Sequence, residues 1–232
     1  MLQNVLEGIK AGIQLGSIDS NIYFIDSSDE LFIIDTGLGE LPGIPAVSRA
    51  NALIKTILDH HPNKKIKILL THAHLDHVGG LATDQQLQEK AEVLIFSSEL
   101  NFLKDNVTHY IDPIFGIQMP GINSPIKEVK AGEIIQMGEF EMKVLHTPGH
   151  TQGSLSIYDE RNKVLIAGDT VFPDGSFGRY DFPSGSLSDL IDSIEMIDSL
   201  DVEYLLPGHM RPVDGGNKHV KMSLYNIKSL IY

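Results

Sequence analysis

The chain has 232 residues and 42% hydrophobic content, enough to bury a sizeable core, and its 21% charged residues are ordinary globular usage. A net charge of −13 opposes binding to phosphate backbones or anionic lipid, and no basic stripe offsets it, so neither nucleic acid nor membrane is expected as a partner. Cysteine is absent, which excludes disulfide scaffolds, thiol catalysis and iron–sulfur ligation, and any metal must bind through His, Asp or Glu.

Residues 1 to 16 show neither a basic nor a continuous apolar stretch of the secretory kind, and a cytoplasmic location is expected. No linker, repeat or low-complexity tract marks a boundary, and residues 1–232 are expected to form a single domain. Three short strands are predicted first, Gly12–Ile18, Asn21–Asp26 and Leu31–Asp35, separated by turn residues. From Ala46 to His60 the apolar residues recur at helical spacing until Pro62 stops them. A strand at Lys65–Leu70 and a helix at His77–Lys90 follow. Further strands are predicted at Glu92–Phe96, Gly132–Met137, Phe140–His146, Ser154–Tyr158 and Lys163–Ala167, and helices at Leu187–Leu200 and Lys218–Ile231. Strands, then strands mixed with helices in both halves, predict an α/β fold of two face-to-face sheets with helices outside. Between Asn101 and Pro125 the pattern fails, and an irregular cover is expected there.

The strand ending at Leu70 runs into Thr71-His72-Ala73-His74-Leu75-Asp76-His77, which holds four metal-competent side chains in six positions. In an extended segment residues i and i+2 point to one side, so His72 and His74 suit one ion; the turn into the helix swings Asp76 and His77 towards a neighbouring point. Gly79 and Gly80 follow, allowing close packing of helix on strands. His150, Asp169 and His209 each close a later β-type run beside a glycine. Ligands gathered at strand ends point to two His₃-like or His₂Asp sets with one acid placed to bridge.

Through His72, His74, Asp76 and His77, with His150, Asp169 and His209 following in order, the sequence resembles the metallo-β-lactamase superfamily over roughly residues 12 to 210. The resemblance implies an αβ/βα sandwich with its site at one edge. It implies that His72, His74 and His150 hold one metal, that Asp76, His77 and His209 hold a second, and that Asp169 bridges. Asp76 and Asp169 are then the catalytic carboxylates. Asp35, in Asp35-Thr36-Gly37, matches an early turn of the family and is expected to orient a ligand histidine.

Thr147-Pro148-Gly149-His150-Thr151 and Gly178-Arg179-Tyr180-Asp181 resemble the glyoxalase II and persulfide dioxygenase branch. That implies a hydrolase acting on a small-molecule thioester or related ester through water activated by two divalent ions, with zinc expected and iron or manganese open to the same ligands. The alternatives are a mononuclear Fe(II) dioxygenase using His72, His150 and Asp169, and a lactone hydrolase. Only 23 residues follow His209, too few for the helical extension with which a full glyoxalase II binds glutathione. Arg179 and Asp181 are expected to pair and fix their loop. Tyr110, beside His109, is the candidate proton donor or substrate contact, with surface exposure the alternative, and Phe115, Met119 and Phe172 are read as core packing or else an apolar rim. His60 and His61 are read as helix-end residues, His219 as solvated, and His146 as a hydrogen-bonding or core residue.

Overall fold

The computed structural model describes residues 2–40, 48–104 and 121–231, and the side chains of Phe102 and Lys104 are not included. The chain forms two compact units, Met1–Glu128 with Met137–Glu139, and Val129–Gln136 with Phe140–Tyr232.

The first unit is built on a mixed sheet in simple sequence order: β1 (Leu2–Leu6), β2 (Ile9–Gly12), β3 (Ile22–Asp26), β4 (Glu30–Ile34), β5 (Lys65–Leu69), β6 (Ala91–Phe96) and β7 (Ile126–Val129). Strands β1 to β4 are antiparallel, whereas β4, β5 and β6 run parallel. The crossovers carry α1 (Ala50–His60), α2 (Leu75–Thr83) and α3 (Gln85–Lys90). Ile22, Ile33, Ile54, Ile68 and Leu81 join one buried cluster of sheet and helix side chains; each such side chain is worth roughly 1.5–3 kcal/mol when removed from water.

The strand expected at Gly12–Ile18 is not found. The chain instead opens on a β1–β2 hairpin in which Leu6 pairs with Ile9 around Glu7-Gly8, with Gly8 at φ 85°. The φ > 0 that such a tight turn requires is what glycine supplies, and residues 13–18 are left irregular. The helix expected over His77–Lys90 starts earlier, at Leu75, and is broken in two at Asp84. Asp84 has extended backbone and its side chain accepts from Leu87 N, so it caps α3 instead of continuing α2. Within the expected irregular cover, Leu100–Lys104 forms helix α4; residues 105–120, with His109, Tyr110, Phe115 and Met119, lie outside the described residues.

The second unit contains a mixed sheet in the order β13 (Val213–Asp214), β12 (Tyr204–Pro207), β11 (Val164–Gly168), β10 (Leu155–Asp159), β9 (Phe140–His146) and β8 (Ile134–Met137). Among the strand pairs from β9 to β13, only β11 and β12 run parallel. Helices α5 (Leu187–Asp198) and α6 (Gly216–Lys228) bury Leu190, Ile194, Ile197, Val220 and Ile227 in the cluster that includes Leu165 and Leu205. Among the described residues no helix is long and apolar enough to cross a membrane.

Candidate metal centre

In the first unit three parallel strands deliver their following residues side by side: Asp35 after β4, Thr71 to His74 after β5, and the turn Ser97–Glu99 after β6. The carboxyl ends of parallel strands are where α/β folds present chemistry. Asp35 is buried, at φ 58°, and its carboxylate accepts three bonds: Thr71 N on Oδ1 at 2.8 Å, Thr71 Oγ1 on Oδ2 at 2.8 Å, and His77 Nδ1 on Oδ2 at 2.8 Å. It does orient a histidine, as expected. Thr36 N and Thr36 Oγ1 both donate to the His77 carbonyl, at 2.7 and 2.8 Å, which ties the same turn to α2. A Cβ added at Gly79 or Gly80 would come within 2.0 Å of the Leu38 or Thr36 carbonyl oxygen, so only glycine permits this approach.

These bonds settle the histidine tautomers. Donation to Asp35 puts the His77 proton on Nδ1 and leaves Nε2 a lone pair. Thr71 Oγ1, having donated to Asp35, accepts from His72 Nδ1 at 3.1 Å, so His72 also presents Nε2 as a lone pair. That nitrogen lies 3.1 Å from His74 Nδ1, bringing together the two residues predicted to share an ion. Asp76, in the first turn of α2, sits with Oδ2 3.8 Å from His77 Nε2. A proton or a cation is required among groups so close, and imidazoles fixed through the far nitrogen are the usual form of a metal ligand.

The second unit brings together the remaining three predicted residues. Asp169 and His209 leave the neighbouring ends of β11 and β12, where Gly208 N donates to the Gly168 carbonyl at 2.8 Å. Asp169 Oδ2 lies 3.5 Å from His150 Nε2 and 3.4 Å from His209 Nε2. His150 donates from Nδ1 to the Arg179 carbonyl at 2.6 Å, which again leaves Nε2 as the lone pair, facing a carboxylate oxygen. Two electron-rich atoms facing each other fit a shared cation, so both donor sets suit divalent metal. The turn before His150 is seated on α5: Gly149 is at φ 129°, Ser186 N donates to its carbonyl at 2.8 Å, and Ser193 Oγ donates to the Pro148 carbonyl at 2.7 Å.

Arg179 and Asp181 pair as expected, Nε to Oδ1 at 2.9 Å and Nη2 to Oδ2 at 2.7 Å. These hydrogen bonds hold the Asp181 carboxyl below the usual carboxylate range and Arg179 above its own. Phe172 packs edge-on at 6.1 Å from His209, next to a predicted ligand instead of in the core. His60 bonds the Thr56 carbonyl at the end of α1, and His146 bonds the Gln152 carbonyl. His219 departs from expectation: its ring is mostly buried and its Nδ1 accepts from Asp174 N at 2.9 Å, fixing the turn Pro173–Gly175. Glu99 escaped the sequence reading. It is 1% exposed, and its Oε2 accepts from Ala73 N at 2.9 Å, holding the peptide between His72 and His74. An acidic residue inside the apolar stretch from Val93 to Leu103 was the available signal.

The family model of the metallo-beta-lactamase superfamily matches residues 15–209. The acyl-coenzyme A thioesterase MBLAC2 of Homo sapiens is 30% identical over 207 residues, covering 82% of this chain and 72% of the relative. The hydroxyacylglutathione hydrolase GloC of Haemophilus influenzae is 34% identical over 167 residues, covering 69% of this chain and 75% of the relative. Among solved structures, that of TTHA1623 in a di-iron-bound form matches with a TM-score of 0.68 and 27% identity, covering 88% of this chain and 94% of the other. The expected fold of two mixed sheets with helices is thus the fold of known structures, and the chain belongs to the metallo-beta-lactamase superfamily.

Proposed function

We propose that this protein is a metal-dependent hydrolase that cleaves a small-molecule thioester with two divalent ions, zinc being the expected metal. The observation that carries the reading is the histidine geometry: His72, His77 and His150 each spend Nδ1 on a protein oxygen and turn Nε2 towards other ligand-type groups. Assignment of ligands follows the resemblance, with His72, His74 and His150 on one ion, Asp76, His77 and His209 on the other, and Asp169 shared. We take residues 1–232 as one catalytic domain, which the family match through residues 15–209 supports.

When bound, two divalent ions lower the pKa of water towards ~7 and polarise a carbonyl oxygen. The chain then needs no side-chain nucleophile, in keeping with its lack of cysteine. Asp76, the more exposed of the two catalytic carboxylates, is assigned to hold the second ion with His77 and His209, and Asp169 to keep the charges together. A thiolate leaving group, with a thiol pKa of about 8.5, departs without a strong acid, which favours a thioester over an alkyl ester. The activities for which MBLAC2 and GloC are named, both hydrolysis of a thioester, support the same substrate class.

The test is thioester hydrolysis under strict anoxia with defined metal loading. Turnover is expected to be unchanged by removal of O₂, because the chemistry uses water alone. With Arg179 committed to Asp181, kcat/KM for a lactoyl-glutathione thioester is expected to exceed that for a small neutral thioester by less than about tenfold, roughly 1.4 kcal/mol. Activity seen only with O₂ and a persulfide would overturn the reaction class, and a preference of about a thousandfold would reveal a glutathione-recognition site.

A further inference from the structure

Residues 178–182 form no helix or strand, yet they pass against two of the proposed ligands. A Cβ at Gly178 would lie 1.8 Å from the Asp169 carbonyl oxygen and 3.3 Å from His150 Cβ, so the loop runs in close contact with both residues. The next carbonyl, that of Arg179, accepts from His150 Nδ1 at 2.6 Å. Backbone in such a segment has no ladder to fix its peptide planes, so side chains must. Arg179 bonds Asp181 through two parallel contacts, and its Cζ lies over the Phe182 ring, 4.3 Å from the centroid. Phe182 in turn meets the His150 ring edge-on at 6.1 Å. The contacts close a circuit from His150 through the Arg179 carbonyl and side chain, to Asp181 and Phe182, and back to His150.

We infer that the Arg179–Asp181 pair, seated on Phe182, is a latch that fixes the ring orientation of His150, Nδ1 towards the Arg179 carbonyl, and thereby how strongly His150 holds a metal ion. Its consequence for metal rests on the ligand role proposed above for His150; its consequence for the ring orientation does not. Arg179, Asp181 and Phe182 are positioning residues. The pair itself is exposed, with 64% and 58% of the two side chains open to solvent. So exposed an ion pair contributes little to folding, and its removal can be read on His150 instead of on global stability. Partners that orient ligating histidines typically alter metal affinity by 10–100-fold.

The experiment measures three quantities on the full chain in wild type, Asp181→Ala, Arg179→Ala and Phe182→Leu: the His150 ring-nitrogen NMR shifts without metal, the zinc dissociation constant by chelator competition, and the melting temperature. Wild type should keep the hydrogen bond from His150 Nδ1 to the Arg179 carbonyl. Each variant should weaken or lose that bond and bind zinc about tenfold more weakly, with the melting temperature within about 2 °C of wild type. Arg179→Lys should recover only part of the affinity, since a compact ammonium cannot make the paired bonds of a guanidinium. Variants that keep the Nδ1 hydrogen bond and bind zinc within about twofold of wild type would overturn the latch. Zinc binding undiminished in His150→Ala would instead defeat the ligand assignment, while the Nδ1 hydrogen bond followed in the metal-free protein still decides the latch.

Discussion

Replacing Asp169 with Asn is expected to abolish most hydrolysis and to lower bound metal below two ions per chain. Asp169 Oδ2 stands 3.5 Å from His150 Nε2 and 3.4 Å from His209 Nε2, so one carboxylate oxygen serves two imidazoles. Asparagine keeps the shape but removes the negative charge that offsets two cations held near each other, and an amide is a poor ligand for a divalent ion beside histidines. The loss in kcat/KM should exceed about 100-fold, the upper end for residues that merely orient a ligand. Elemental analysis and thioester turnover on the same sample check it. Full metal content with near-normal turnover would remove Asp169 from the shared position.

Asp35→Asn should be almost as damaging although Asp35 lies beneath the proposed ligands. Its backbone is at φ 58°, a region that Asn tolerates well, so the turn should survive. The amide oxygen can still accept from Thr71 N. The amide nitrogen, however, must replace Oδ2, which now accepts from both Thr71 Oγ1 and His77 Nδ1. Two donors then face an NH₂ group, and the relief open to His77 is to move its proton to Nε2, the nitrogen proposed to bind metal. Affinity for one of the two ions should fall 10–100-fold, with the His77 ring-nitrogen shifts reporting the exchanged tautomer. Asp35→Ala should in addition lose roughly 3–5 kcal/mol of stability, because buried donors are left without an acceptor. An Asn variant with unaltered affinity and the original tautomer would show that Asp35 only supports the turn.

Legibility in the sequence followed the kind of interaction that forms each element. Phe140–His146 alternates apolar and polar positions, and the predicted strand has the observed bounds. The β1–β2 hairpin hangs on one glycine turn and two short strands, and its polar and exposed residues from Leu2 to Asn4 left little periodic signal. The break at Asp84 was hidden because α2 and α3 each continue the apolar spacing, and a capping interaction is visible only in three dimensions. The seven ligand candidates were legible because metal chemistry restricts residue type and because strand ends restrict place. What surrounds them was half legible: Asp35 and the Arg179–Asp181 pair had motifs to mark them. Glu99 had only its place as an acid within an apolar stretch, and the Arg179 carbonyl had nothing, since a backbone oxygen leaves no pattern in residue identity.

The central claim, a two-ion hydrolase, is tested most directly by titrating zinc into metal-free protein while following thioester hydrolysis under anoxia. The expected result is saturation at two ions per chain, with activity rising in step with the second ion and the Asp169→Asn variant failing to reach it. Saturation at one ion with full activity, or hydrolysis indifferent to metal, would contradict it.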